Sequence, residues 1–117
     1  MPHDTPRTPA LTELALHVLF ALADGPAHGY AIGKDIEDRS AGRLDPATGS
    51  LYQVIKRLTD DGLIRPSPAP KGAAGDARRK FFTLTPLGRQ AAATEIARLE
   101  AIVLAGRRRH LHRAGTR

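Results

Sequence analysis

The chain has 117 residues, which fits one domain of ordinary size, and its 41% hydrophobic but only 4% aromatic content calls for a core of Leu, Ile, Val and Ala, better suited to packed helices than to a sandwich or barrel. There is no cysteine, which excludes disulfides and thiolate zinc sites. The net charge of +6 is unevenly spread: residues 1–62 carry nine Asp/Glu and six Lys/Arg, residues 63–117 three and twelve, so the second half points to a polyanion, nucleic acid before anionic membrane, unless the charge is only a solvated face.

Residues 1–9 bear prolines and lack apolar periodicity, and read as a loose arm. Leu11, Leu14, Ala15, Val18, Leu19 and Leu22 then form one helical stripe, which Gly25-Pro26 should end with a left-handed glycine cap. The longest apolar run, Ala15 to Ala23, contains His17 and falls short of the about 20 residues that span a bilayer; nor is there a basic start with an apolar stretch and cleavage site. The expectation is a cytoplasmic protein with no membrane partner. His17 lies on or beside the stripe and reads as packed or interfacial.

A second helix is expected from Ala27 or His28 to about Arg39, with Tyr30, Ala31, Ile32 and Ile36 as buried candidates and His28 as a helix-start residue. Ser40 to Leu44 is a turn with a central glycine. The third helix has Asp45 as N-cap, Pro46 at its first position, an apolar stripe of Leu51, Val54, Ile55 and Leu58, and Gly62 just past its end, about four turns in all. Gly49, Gln53, Lys56 and Asp60 point the opposite way, with Ser50 and Arg57 on one flank and Thr48 and Tyr52 on the other.

That outward face is the inventory of a DNA-reading helix. Gln can pair with adenine, Arg and Lys with guanine, and Ser or Thr with a base or a phosphate. Small residues at the front let the backbone and its free N–H groups come close to the duplex. The plainer alternative is that Ser, Thr and Gly only cap the helix and Lys56-Arg57 are solvated.

Leu63-Ile64-Arg65 reads as a short strand, residues 66–77 as a Pro/Gly/Ala-rich loop, and residues 79–84 as a second strand with Phe82 and Leu84 on one face and Phe81 and Thr83 on the other. The two strands make a hairpin with a basic tip, whose Lys71, Arg78, Arg79 and Lys80 would neutralise phosphates or enter the minor groove. Thr85-Pro86 opens the last helix, where Ala92, Ile96, Leu99 and Val103 keep an a/d-like spacing to about Ala105, before a basic end, "GRRRHLHRAGTR". Three helices, a strand, a basic loop, a strand and a helix give a mainly α (α+β) winged helix-turn-helix.

"HGYAI" (28–32), "GSLYQVIKRLTDDGLI" (49–64) and "RRKFFTLTPLGR" (78–89), in this order, resemble the PadR family of bacterial transcriptional regulators, in its small single-domain form, over roughly residues 11–103. The resemblance implies a homodimeric repressor of double-stranded operator DNA. It implies a flexible arm (1–9), a DNA-binding domain (10–85), a C-terminal dimerisation helix (86–106) and a basic tail (107–117). The first and last helices would make the dimer contact through Leu11, Leu14, Ala92, Ile96, Leu99 and Val103, and Tyr30 and Tyr52 would lie near the helix-turn-helix core and the DNA backbone. Release would fall to an unknown small-molecule effector. Phe81-Phe82 stand where the family commonly has tyrosine, and the lack of Trp, and of Phe or Tyr after Phe82, weakens a stacking-type drug pocket.

No nucleophile motif or phosphate loop argues for an enzyme, and the acidic pairs Glu37-Asp38 and Asp60-Asp61 sit near helix ends, facing solvent. His110-x-His112 alone is too few ligands for zinc, so neither metal nor cofactor is expected. A metal-responsive sensor, or a protein-binding adaptor using the last helix and basic tail, remains the alternative.

Overall fold

Thr12 opens the first helix. Its hydroxyl accepts the Ala15 N–H at 3.0 Å, and Glu13 places an acid at the positive helix end. The computed structural model describes residues 11–44, 48–72 and 79–113. Helix α1 (Glu13–Ala21) buries Ala15, Leu16, Val18 and Leu19. It stops before the expected glycine cap: Leu22 closes the last turn with its N–H on Leu19 O, while Gly25, at φ +150°, sits in the following turn.

The next departure lies at Ala27–His28, expected to begin a helix. These residues form strand β1, antiparallel to a later strand with Ala27 opposite Phe82 and His28 opposite Phe81. Helix α2 (Gly29–Arg39) follows, and His28 is its N-cap, with Nδ1 accepting the Ala31 N–H at 3.1 Å. Ile32 and Ile36 are fully buried, whereas Tyr30, an expected core residue, is 68% exposed. The reason is angular: Tyr30 is two residues from Ile32, about 200° around the helix.

Helix α3 (Thr48–Asp60) buries Leu51, Ile55 and Leu58, with Val54 packed beside them. Asp45 and Pro46, the expected cap and first position, lie outside the described residues, as do the arm at 1–9 and Arg78. At its far end Gly62 adopts φ +79°, its N–H reaches Thr59 O and the Leu63 N–H reaches Leu58 O, both at 3.0 Å. This paired closure needs a left-handed residue, which glycine supplies without strain.

Strand β2 (Ile64–Ser67) begins one residue later than expected and takes in Pro66 and Ser67, which composition assigned to the loop. Proline is tolerated because β2 is an edge strand, the sheet order being β1-β3-β2. Strand β3 (Phe81–Leu84) is central. The sheet thus has three strands rather than the expected two. The extra one also covers the second face of β3: Phe81 and Phe82 are both buried, with His28 of β1 lying edge-on to Phe81 at 5.2 Å between ring centres.

Helix α4 (Pro86–Arg108) runs three residues past Ala105. Thr85 is its N-cap. The Thr85 hydroxyl accepts the Gly88 N–H at 3.0 Å and lies 2.7 Å from Gly62 O, and the Thr85 N–H bonds Leu63 O at 3.1 Å. One threonine therefore joins the end of α3 to the start of α4. Thr85→Val, equal in shape but without the hydroxyl, should lose about 1–2 kcal/mol, read as a lower urea midpoint at unchanged m.

Helix α1 packs against α2, α3 and α4, so the core, with Val18, Leu19, Leu22, Ile32, Ile36 and Ile64 least exposed, surrounds it. Arg39 crosses from α2 to α1, donating to His17 O at 2.9 Å while paired with Asp35, which gives His17 a packing partner. On α4, Glu95 is 5% exposed and ion-paired with Arg98, whose hydrogen bond holds the Glu95 carboxyl below the usual carboxylate range against the opposing effect of desolvation. A bond from the Leu11 backbone acts in the same direction and ties the entry to α1 onto α4.

Candidate nucleic-acid interface

Burial of Leu51, Ile55 and Leu58 decides what α3 shows to solvent. Ser50, Gln53, Lys56 and Arg57 are exposed and Tyr52 is 49% exposed, on the faces the helical period assigned them. Thr48 and Gly49 form the first turn of the helix. Lys56 Nζ lies 3.0 Å from Asp60 Oδ2, an exposed pair one turn apart and therefore weak.

Beside this face runs an open groove of about 620 Å³ between the start of α2, helix α3 and the wing strands. Its walls carry His28, Tyr30, Tyr52, Lys56, Arg79 and Lys80, and Ile55 and Phe82 contribute apolar surface. Gly29 sets its width at one end: a Cβ there would stand 2.6–2.9 Å from the Tyr52 ring, so glycine is what lets that ring lie against the first turn of α2. Across the groove the Arg79 guanidinium sits 5.3 Å from the centre of the Tyr30 ring, and its Nη1 is 3.4 Å from His28 Nδ1. The His28 and Tyr30 rings stack at 6.4 Å.

The fold therefore brings Tyr52, Lys56, Arg79 and Lys80 to one groove, with Ser50, Gln53 and Arg57 on the same exposed helix. Lys71 is exposed in the turn after β2 and does not line the groove. His28 was not among the residues singled out from the sequence for contact, and Tyr30 was placed near the DNA backbone only by the family resemblance. The available signal was the "HGY" triplet, in which a glycine flanked by two rings marks a close approach.

The expected dimer residues divide in two. Leu11, Leu14 and Ala92 are partly buried against the core, while Ile96, Leu99 and Val103 stand 39%, 38% and 52% exposed on α4. The latter line an apolar surface groove of about 460 Å³ with Leu104. The His110 and His112 rings are 6.5 Å apart, and among the described residues no three His, Asp or Glu side chains cluster as a metal site would require. Among the same residues no helix is long and apolar enough to cross a membrane.

The Transcriptional regulator PadR-like family matches residues 18–94. A curated relative, an uncharacterized 37.1 kDa protein in transposon TN4556 of Streptomyces fradiae, is 51% identical over 73 residues, 62% of this chain and 19% of that protein, so the chain spans about a fifth of that relative's length. A PadR family transcription regulator from Clostridium difficile R20291 superposes with a TM-score of 0.70 at 21% identity, covering 83% of this chain and 97% of that one. Bacillus subtilis PadR, in complex with operator DNA, superposes with a TM-score of 0.59 at 25% identity, covering 71% of this chain and 46% of that one.

Proposed function

The chain belongs to the PadR-like family of transcriptional regulators, and from that premise we propose that it is a sequence-specific double-stranded DNA-binding repressor that acts as a homodimer and is released by a small-molecule effector. The observation that carries the DNA reading is the exposed Ser50/Gln53/Lys56 face of α3 beside a groove walled by Arg79 and Lys80. The operator complex of Bacillus subtilis PadR supports it by analogy.

In this reading residues 10–85 bind DNA, the helix 86–106 dimerises, and the ends 1–9 and 107–117 are an arm and a basic tail. The first turn of α3 enters the major groove, where Thr48, Gly49 and Ser50 let the backbone approach and Gln53, Lys56 and Arg57 reach base edges or phosphates. Tyr52, Lys71, Arg78, Arg79 and Lys80 hold the sugar-phosphate backbone and so supply affinity rather than sequence choice. Ile96, Leu99 and Val103, continued by Leu11, Leu14 and Ala92, meet a second copy and set the half-site spacing.

The test is a comparison of two variants on the DNA upstream of the gene and on a scrambled duplex. Gln53→Ala should cost about 1–3 kcal/mol on the operator alone, flattening discrimination. Lys80→Ala should weaken both duplexes alike and lower the salt slope by about one. Equal effects of the two substitutions on every duplex would refute the division of roles.

A further inference from the structure

Two glycines one turn apart on α2 face helix α3, and they meet different things. A Cβ on Gly33 would stand 3.2 Å from Leu51 Cδ2, a core contact that a small shift relieves. A Cβ on Gly29 would stand 2.6 Å from the Tyr52 hydroxyl oxygen, 2.7 Å from its Cε1 and 2.9 Å from its Cζ. The three nearest atoms all belong to the outer end of one ring, so a side chain at position 29 and this pose of Tyr52 exclude each other. Backbone conformation does not call for glycine here. Gly29 is not among the residues at positive φ, and a helix favours alanine. Gly29 is buried, while the Tyr52 side chain against it is 49% exposed. The ring, rather than the backbone, accounts for the glycine.

We infer that Gly29 is a positioning residue for DNA binding: its bare backbone is the seat on which the Tyr52 phenol rests at this end of the groove, with the hydroxyl set for a backbone phosphate. This role rests on the proposed DNA-binding reading, in which Tyr52 holds the sugar-phosphate backbone, and adds to it what aims Tyr52. The physical reason is pre-organisation. A half-exposed tyrosine has rotamer freedom to lose on docking, and a ring already laid against a backbone has lost part of it beforehand. A methyl group at position 29 would meet no backbone among its three nearest atoms, only the far end of a flexible side chain. The ring can swing away at little cost to the core. Fold and aim therefore come apart: Gly29→Ala spares the first and spoils the second. The phenol donates a hydrogen bond without carrying charge, so losing its contact leaves the number of released counterions unchanged.

Titration of fluorescent duplexes at several salt concentrations tests this, with a generic duplex beside the operator. Phosphate contacts do not depend on sequence, so the generic duplex decides the role of Gly29, while equal wild-type affinity for both duplexes would count against the regulator reading alone. Tyr52→Leu should weaken generic binding about tenfold and Gly29→Ala about three- to tenfold, both with the log–log salt slope unchanged. The Gly29→Ala/Tyr52→Leu double variant should bind no more weakly than Tyr52→Leu. Gly33→Ala, which touches Leu51 and not the ring, should bind like the wild type. The urea midpoint of Gly29→Ala should equal or exceed that of the wild type. In the free protein the Tyr52 ring current should displace the Gly29 α-proton resonances, and Tyr52→Leu should return them, which reads the seat without any DNA. Wild-type generic affinity in Gly29→Ala, additive losses in the double variant, or α-proton resonances indifferent to Tyr52 would each overturn the inference. So would an equal loss in Gly33→Ala, which would make helix spacing the cause, or a lowered urea midpoint in Gly29→Ala, which would make the glycine a packing residue.

Discussion

Leu99→Asp is expected to turn the proposed homodimer into a monomer and to abolish operator binding while leaving weak generic DNA binding in place. Leu99 sits at the middle of the α4 apolar ridge, 38% exposed, between Ile96 and Val103 and beside Leu104 at 47%. In one chain this ridge meets water. A two-fold interface uses the same patch of both subunits, so a single substitution buries two charges without partners. An uncompensated buried charge costs about 3–5 kcal/mol, which raises the dimer dissociation constant by more than about a hundredfold. Because Leu99 is not in the core cluster, the fold of each chain should survive, with an unchanged far-UV spectrum. Light scattering at micromolar concentration reads the mass directly. A dimer mass for Leu99→Asp would place the interface elsewhere.

The second large effect is expected at Gly88. A Cβ there would lie 2.0 Å from Leu63 O, 2.7 Å from Leu84 Cδ1 and 3.0 Å from Leu63 C. Two of these are backbone atoms, and Leu63 O is held in place as the acceptor of the Thr85 N–H at 3.1 Å. Relief requires the first turn of α4 to move outward by about 1 Å, opening the junction of α3, β2 and α4 that Thr85 closes. Gly88→Ala should therefore destabilise by about 3 kcal/mol or more, lowering the melting midpoint by at least about 10 °C. Intrinsic propensity pulls the other way, since alanine is favoured over glycine inside a helix by about 1 kcal/mol. Gly106, on the same helix with nothing within 4 Å of an added Cβ, isolates that preference. Gly106→Ala should be neutral or slightly stabilising, by up to about 1 kcal/mol. Urea melts of the two variants decide the matter by sign, and equal stability of both would show that α4 does not approach Leu63 so closely.

Several local features could be read along the chain. The 3.6-residue period of Leu51, Ile55 and Leu58 determined which face of α3 is buried, and hence that Ser50, Gln53 and Lys56 look outward. Thr85-Pro86 and Gly62 marked helix ends because capping depends on hydrogen bonds within a few residues, and the structure makes those bonds. The ordered motifs of the helix-turn-helix and the wing carried the fold class and the family.

What the sequence left open depends on residues far apart in the chain. A two-residue strand at Ala27–His28 has no periodicity to detect and exists only because β3, more than fifty residues later, offers a free edge. Once it forms, His28 covers Phe81, so the faces of β3 that carry Phe81 and Phe82 are both buried. Tyr30 then stands between two partners: His28 fixes the Tyr30 ring, and the ring receives Arg79 from the wing. The glycine of Thr-x-x-Gly is likewise legible as a motif but not as a necessity, since the carbonyl that excludes a Cβ belongs to Leu63. Local hydrogen bonds and helical periods are short-range, and a single chain of residues displays them. Which cation faces the groove, and which glycine can hold no side chain, is decided by packing between segments that only the folded molecule brings together.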